Sequence, residues 1–285
     1  MIELKGKPVA DCITEKAKAD IEDLKSKGIS PRLAVIRVGE RPDDISYERG
    51  ILKRFDSAGC GYEVFTLPED CTQKELDDMF DGLNNDDMIH GILLFRPLPK
   101  HLNDAHIRET VKADKDIDAM GIYNQAAMFA GDRNAFAPCT AQAVIEILHF
   151  YDIDLTGKKV TVVGRSAVIG RPVSLMLTSE NATVTVCHTR TVNIADELKK
   201  ADIIVAAAGK AKMITADMTA QGQIIIDVGM NVDENGKLCG DVDFDGAATS
   251  AAAITPVPGG VGAVTTSVLL QSTVKGAQRA LNGRM

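Results

Sequence analysis

The sequence contains no tryptophan, and aromatic residues of all kinds make up only 4% of its 285 residues. No apolar stretch approaches the roughly 20 residues that a membrane-spanning helix requires. Lysine and arginine (32) are outnumbered by aspartate and glutamate (40), which gives a net charge of −8. Because nucleic-acid binding needs a concentrated basic surface, we expect neither nucleic acid nor a membrane as a partner.

The sequence also lacks any Cys-x-x-Cys pair and any apolar signal segment at its N-terminus. Neither a zinc site nor a disulfide framework is therefore predicted, and reduced thiols of a cytoplasmic protein are the simplest interpretation. The cysteines are scattered through the chain, at Cys12, Cys60, Cys71, Cys139, Cys187 and Cys239.

Hydrophobic patterning predicts a first α/β series. An apolar stripe at spacings of three and four predicts a helix over 8–27. Short β-branched or apolar runs predict strands over 32–38, 62–67 and 90–95. They alternate with predicted helices over 43–58 and 72–83, the latter with Thr72 as N-cap. This alternation favours a parallel sheet with helical crossovers.

A second series follows an irregular segment, 114–138, that we interpret as the joint between two domains. Thr140 is predicted to cap a helix that runs to residue 150. Strands are then predicted over 159–163, 183–187, 203–207 and 223–228, with helices over 171–178, 195–199 and 264–281. The predicted fold class is α/β, with two domains that are each a mainly parallel sheet with flanking helices, the second being Rossmann-like.

A glycine-rich turn in the second series indicates a dinucleotide site. The segment VTVVGRSAVIGRPVSLML places Gly164 after the strand, Ser166 where a second glycine is usual, and Gly170 at the start of the helix. Doubly wound sheets bind dinucleotides at such a turn, with the pyrophosphate at the helix N-terminus. Because the motif departs from Gly-x-Gly-x-x-Gly, a tight turn without a ligand remains the alternative.

The following strand bears on the choice of nucleotide. NAD sites usually end their second strand with a carboxylate, whereas here His188, Thr189 and Arg190 follow the strand. Arg165 lies in the glycine turn. A guanidinium suits a 2′-phosphate, which a carboxylate would repel, so NADP is the expected cofactor. Arg190 alone is most simply a surface cation.

Five segments together resemble the methylenetetrahydrofolate dehydrogenase/cyclohydrolase family of the bifunctional FolD type. They are RPDDISYERG (41–50), DKDIDA (114–119), GRSAVIGRP (164–172), CHTRT (187–191) and TPVPGGVGAVT (255–265). The last segment is close to a family signature. The resemblance extends from about residue 4 to residue 281, which is nearly the whole chain.

The resemblance implies a homodimer whose subunits have a cleft between two domains. The folate-side (catalytic) domain would comprise residues 1–138 and 264–285, and the NADP-binding domain residues 139–263. It also implies oxidation of 5,10-methylenetetrahydrofolate by NADP, without a metal, and hydrolysis of the methenyl product to 10-formyltetrahydrofolate, which is part of one-carbon metabolism and purine biosynthesis.

The resemblance further assigns site residues. Tyr47 would stack on the aminobenzoyl ring of the folate, and Asp118 would hydrogen-bond the pterin. Taken alone, these residues would be a half-buried helix tyrosine and a turn carboxylate. Three residues would border the substrate cleft: Pro258, Gly259 and Gly260. The cofactor residues would be Gly164, Arg165, Ser166, Gly170, Thr189 and Met230.

Two positions depart from the family pattern where it supplies the groups for hydration of the methenyl carbon. The family has Tyr-x-x-x-Lys on the helix after the first strand, but the residue four after Tyr47 is Ile51. The family glutamine at the end of the third strand is replaced by Phe95. Arg54 returns to the Tyr47 face of the helix and is a candidate catalytic cation, although an arginine stays protonated and hardly serves as a proton shuttle.

Smaller departures are Ala119, where the family has glycine, and Ala263, where it has proline. Three alternatives follow from the departures taken together. The chain could be a dehydrogenase without cyclohydrolase activity, or a non-catalytic folate- or nucleotide-binding protein. A shikimate-type dehydrogenase is a weaker alternative, because its lysine–aspartate pair is not recognisable here.

Overall fold

The computed structural model describes residues 1–284. Its strands are β1 (Ile2–Glu3), β2 (Arg32–Val38), β3 (Gly61–Leu67), β4 (Gly91–Leu94), β5 (Lys159–Val163), β6 (Thr183–Cys187), β7 (Ile203–Ala206), β8 (Ile224–Asp227), β9 (Asn231–Val232), β10 (Leu238–Cys239) and β11 (Ala253–Ile254). Its helices are α1 (Gly6–Ser26), α2 (Pro42–Ala58), α3 (Gln73–Asn85), α4 (Asp104–Thr110), α5 (Ile122–Phe129), α6 (Cys139–Phe150), α7 (Gly170–Ser179), α8 (Ile194–Lys199), α9 (Phe244–Ala247) and α10 (Val261–Arg284).

The chain divides into two compact units. The large-sheet unit comprises Met1–Asp11 and Thr140–Thr265, and the small-sheet unit comprises Cys12–Cys139 together with the described residues from Thr266 onward. Both α1 and α10 run from one unit into the other. The predicted α/β class, with a mainly parallel sheet in each domain, is confirmed.

The small-sheet unit is built on parallel strands in the order β3-β2-β4. β2 is the central strand and is almost wholly buried, as its β-branched run predicts. The helix α2 starts with Pro42 in its first turn and ends at Gly59, which has the left-handed φ of 65° typical of a helix terminus. The helix α3 starts at a capping box between Thr72 and Glu75, which confirms the predicted N-cap.

The large-sheet unit has parallel strands in the order β1-β11-β8-β7-β5-β6, with a separate antiparallel hairpin of β9 and β10. The strand β7 is buried throughout, and so is β5 after its first residue. The core below this sheet contains Val163, Ile204, Ile225 and Ile254, one residue from each of four strands. Because these strands are parallel, the loops that follow them lie at one edge of the sheet, where doubly wound proteins bind ligands.

Some sequence predictions differ from the structure. Thr140 does not cap α6, because the helix already begins at Cys139. The segment predicted to be irregular contains α5, and α4 precedes it. Residues 1–11, which the sequence grouped with the folate-side domain, belong to the large-sheet unit because β1 pairs with β11. Among residues 1–284, no helix is both long and apolar enough to cross a membrane.

Candidate functional site

Tyr47 lies on α2 and contacts the residue that ends the third predicted strand. Its ring and that of Phe95 are 5.9 Å apart, with an interplanar angle of 61°. Tyr47 is 36% exposed, whereas Phe95 is buried. Phe95 continues the pairing of β4 by donating its backbone N–H to the Ile36 carbonyl at 2.9 Å. Strand pairing therefore fixes the backbone that carries Phe95, and the ring contact orients Tyr47.

Ile51 lies one turn after Tyr47 on α2 and is completely buried. The two positions where the family has a lysine and a glutamine thus hold an aliphatic and an aromatic side chain, both packed in the interior. Neither side chain can donate or accept a proton. These two positions are consequently apolar.

Asp118 supplies the carboxylate of this site. Its Oδ1 accepts a hydrogen bond from the backbone N–H of Cys139 at 2.7 Å. Burial raises the pKa of Asp118 to about 6; the Cys139 hydrogen bonds and the charge of Arg96 lower it in part, and the neighbouring Asp116 raises it further. Burial, followed by the influence of Cys139 and Asp118, raises the pKa of Tyr47 well above its ordinary value. The structure thus brings Tyr47, Phe95, Asp118 and Cys139 together.

A second carboxylate, Asp116, shapes the turn that carries Asp118. It is buried and accepts hydrogen bonds from the backbone N–H groups of Met120 (2.9 Å) and Gly121 (3.0 Å) and from the Asn124 side chain (3.0 Å). The turn passes through Ala119 with φ of 50°, a conformation that favours glycine. Asp116 was not among the site residues predicted from the sequence, because its bonds to backbone groups four and five residues on leave no short motif.

Two arginines of the small-sheet unit, Arg54 and Arg96, differ in their contacts. Arg54 donates from Nη1 to the Thr14 hydroxyl on α1 at 3.2 Å. Arg96 makes a bidentate ion pair with Asp104, at 2.5 and 2.6 Å. The charge of Arg96 lowers the pKa of Asp118.

The glycine turn of the large-sheet unit is tightly closed. Gly164 has φ of 134°, and a Cβ on it would lie 2.1 Å from the carbonyl oxygen of Ala207. A Cβ on Gly170 would lie 2.3 Å from the carbonyl oxygen of Gly164. Ser166 accepts hydrogen bonds from the backbone N–H groups of Ile169 (3.1 Å) and Gly170 (3.4 Å). Side chains at Gly164 and Gly170 would therefore collide with the turn.

This turn fits an anionic group. The helix α7 starts here and has no acidic residue in its first turn, so the positive end of its dipole is uncompensated by carboxylates of the helix. Arg165 is exposed on the turn. The positive end of the α7 dipole and the Arg165 guanidinium are suitable for a dinucleotide's phosphates.

Thr189 lies on a turn that follows β6. Hydrogen bonds made by the neighbouring residues hold this turn. His188 donates its backbone N–H to the Thr191 hydroxyl at 2.8 Å, and Arg190 donates its own to Nδ1 of His188 at 3.1 Å. Gly164 donates its N–H to the Cys187 carbonyl at 2.8 Å. The glycine turn and the Thr189 turn are therefore adjacent.

The remaining predicted residues follow β8 and β11 in the same sheet. Met230 is 66% exposed, and its terminal methyl approaches Gly262. The loop of Pro258, Gly259 and Gly260 packs on the start of α1, where Gly6 donates its N–H to the Gly259 carbonyl at 2.8 Å. A Cβ on Gly6 would lie 2.1 Å from the Gly260 carbonyl oxygen, so the two segments touch backbone to backbone.

Known proteins match both units. Residues 4–118 match the catalytic domain of the tetrahydrofolate dehydrogenase/cyclohydrolase family, and residues 138–281 match its NAD(P)-binding domain. The bifunctional protein FolD of Clostridioides difficile (strain 630) is 50% identical over 272 residues, which cover 95% of each chain.

Solved structures agree with this match. The bifunctional FolD enzyme of Campylobacter jejuni has a TM-score of 0.96 at 40% identity, over 98% of this chain and 99% of that one. The Trypanosoma brucei FolD, complexed with NADP cofactor and an inhibitor, has a TM-score of 0.93 at 36% identity, over 99% and 98% of the two chains. The chain described here belongs to the tetrahydrofolate dehydrogenase/cyclohydrolase family.

Proposed function

We propose that this chain oxidises 5,10-methylenetetrahydrofolate to 5,10-methenyltetrahydrofolate with NADP⁺ as the hydride acceptor. The observation that carries the proposal is the juxtaposition of Tyr47 and Asp118 in a chain that is half identical to bifunctional FolD over 95% of its length.

The protein's contribution to hydride transfer is orientation. The exposed part of the Tyr47 ring offers an aromatic face on which the aminobenzoyl ring of the folate would stack. Above pH 6 the Asp118 carboxylate is mostly ionised, and it can then accept hydrogen bonds from the N–H groups of the pterin. Together the two residues would fix the one-carbon bridge between them.

The large-sheet unit would hold the dinucleotide. Gly164, Ser166 and Gly170 form the turn at the start of α7 that would receive the pyrophosphate. The exposed guanidinium of Arg165 would pair with the 2′-phosphate, and Thr189 lies on the adjacent turn. When bound, NADP⁺ accepts the hydride. We assign NADP to the large-sheet unit and the folate to the small-sheet unit.

Hydrolysis to 10-formyltetrahydrofolate, the family's second reaction, requires a different kind of catalytic group. Adding water to the methenyl carbon requires a group that removes a proton from the water. Ile51 and Phe95 cannot do so, and the raised pKa of Tyr47 keeps its hydroxyl neutral. Hydride transfer needs no such base. We therefore propose that hydrolysis is the weaker of the two activities in this chain.

The test is to measure both reactions on one preparation of purified protein. Methylenetetrahydrofolate and NADP⁺ are expected to give NADPH rapidly, while supplied methenyltetrahydrofolate is expected to be consumed slowly above the uncatalysed rate. NADP binding without NADPH formation would favour a non-catalytic binding protein. Methenyl hydrolysis as fast as oxidation would show that other groups activate the water.

The product would supply one-carbon units for reactions such as purine biosynthesis, and we propose that the protein acts as a cytoplasmic homodimer. The cysteines support a reducing compartment, since all six are free thiols and five of them are buried. Light scattering on the purified chain tests the dimer: a mass near twice 30.5 kDa is expected, and a mass of one chain would contradict it.

A further inference from the structure

Asp241 is a completely buried carboxylate that fastens two loops of the large-sheet unit. Its Oδ2 accepts hydrogen bonds from the backbone N–H groups of Ala208 (2.6 Å) and Gly209 (3.0 Å). Its Oδ1 accepts from the N–H of Lys210 (2.8 Å) and from Nδ2 of Asn231 (2.9 Å). One side chain thus ties the loop after β7 to the segment after β8.

A second carboxylate, Asp227, holds Asp241 in place. Its Oδ1 accepts from the backbone N–H groups of Gly229 (2.9 Å) and Asp241 (3.0 Å), and its Oδ2 from that of Val242 (2.9 Å). A Cβ on Gly229 would lie 2.4 Å from the Asp241 carboxyl, and one on Gly240 would lie 1.9 Å from the Asp227 carboxyl. Glycines at these two positions therefore let the carboxylates reach the backbone.

The loops that Asp241 fastens adjoin the dinucleotide turn. Ala207 begins the loop after β7. Its carbonyl oxygen packs so closely against Gly164 that a Cβ on Gly164 would collide with this oxygen. Met230 lies between Gly229, which hydrogen-bonds Asp227, and Asn231, which hydrogen-bonds Asp241. Both loops leave the carboxyl ends of parallel strands, the edge at which a doubly wound sheet binds its nucleotide.

We propose that Asp241 is a positioning residue for the dinucleotide, acting through the loops 208–210 and 229–231. Saturation of a buried carboxylate by four donors fixes these loops before the cofactor binds, so less ordering remains to be done on binding. The inference rests on the proposed NADP-dependent function. Asp241 would act through the loops it holds and not by touching the reacting atoms.

Asp241→Asn is the sharpest variant, because it keeps the shape but places an NH₂ group against backbone donors. We expect the Kd for NADP, measured by titration calorimetry without folate, to rise about tenfold or more, on the scale of a lost charged hydrogen bond. The KM for the folate is expected to stay within about twofold. Asp202→Asn is the matched control, since Asp202 accepts one backbone N–H, from Lys159, at the opposite edge of the same sheet.

Asn231→Ala is a milder variant that removes one of the four hydrogen bonds to Asp241. It takes the place of Asp241→Asn as the test if that variant does not fold. It should raise the Kd for NADP by a smaller factor, about two- to fivefold, and Asp202→Asn should leave it unchanged. A folded Asp241→Asn or Asn231→Ala protein with wild-type NADP affinity overturns the proposal, and so does an equal rise in the folate KM. Wild-type protein that binds NADP but forms no NADPH would refute the proposed oxidation alone, because the calorimetric comparison would still stand.

Discussion

The rings of Tyr47 and Phe95 pack edge to face, with their centroids 5.9 Å apart. In the family pattern a glutamine stands at the second position, so an aromatic contact replaces a polar neighbour of the tyrosine that we propose stacks on the folate. Buried Ile51 replaces the lysine on the same helix. Under the proposed function, the two changes would leave the residue that orients the folate ring in place and would remove the polar groups that hydration uses.

Restoring the polar pair should therefore restore hydrolysis. We expect Ile51→Lys with Phe95→Gln to raise the rate of methenyl hydrolysis by up to about a hundredfold, the lower range of general acid–base catalysis. A buried lysine lowers stability, so thermal melting must accompany the assay, and Phe95→Gln alone is the safer variant. Ser57→Lys adds the same cation to an exposed part of α2 and should leave hydrolysis unchanged. An unchanged rate in a folded double variant would contradict the interpretation.

Oxidation should depend on the ionisation of Asp118. Its pKa is raised to about 6, so the carboxylate that we propose accepts pterin hydrogen bonds is lost as the pH falls through 6. We expect kcat/KM for the folate to fall about tenfold per pH unit below that value and to be flat above pH 7. Asp118→Asn should lower kcat/KM and abolish this pH dependence. If Asp118→Asn retained the wild-type profile, another group would be responsible.

Stability should decrease as the pH rises from 4 to 6. Burial raises the pKa of Asp227 from its ordinary 3.8 to about 6, so the folded protein retains a proton that the unfolded chain releases in this range. The loss over the whole titration, from well below pH 3.8 to well above pH 6, is about 3 kcal/mol for a shift of this size, and about two thirds of it falls between pH 4 and pH 6. Asp227→Asn should melt at a temperature that varies less between pH 4 and pH 6, whereas Asp245→Asn, an exposed residue of the same unit, should keep the wild-type slope. Equal slopes in all three proteins would rule out this role for Asp227.

The preference for NADP should reside in Arg165. Replacing it with alanine is expected to raise the KM for NADP tenfold to a hundredfold, the cost of about 1.5–3 kcal/mol for a charged hydrogen bond. The KM for NAD should change little, because NAD has no 2′-phosphate. Lys158→Ala removes an exposed cation next to the start of β5, the opposite end of that strand from the glycine turn, and is the control. A parallel loss for both nucleotides would indicate a role in the turn itself.

The sequence predicted the long elements well because their signals are local. β2, β5 and β6 are β-branched runs that end at glycine or polar residues, and their predicted and observed bounds coincide. The strands β1 and β11 have two residues each, too few to show an alternation, and their pairing is a property of the fold. The helix α5 lay in a segment without clear periodicity, where no pattern predicted it.

Part of the proposed site could be predicted from motifs, whereas contacts that side chains make only through folding could not. Tyr47, Asp118 and Gly164 came from family motifs, whereas Asp116 and Asp241 act by hydrogen bonds to backbone groups, which leave little pattern in the sequence. Arg54 was placed by helix geometry on the Tyr47 face, but its guanidinium hydrogen-bonds Thr14 on another helix. Helix spacing fixes the face of a residue, and the packing of neighbouring elements decides its partner.

The most direct test is the ratio of methenyl hydrolysis to NADP-dependent oxidation, measured on one preparation of the wild-type chain. The buried Ile51 and Phe95 predict rapid oxidation and hydrolysis at least tenfold slower, in keeping with the loss of a general acid–base group. Equal rates for the two reactions would contradict the assignment of hydration to those positions. An absence of NADPH formation would contradict the proposed function itself.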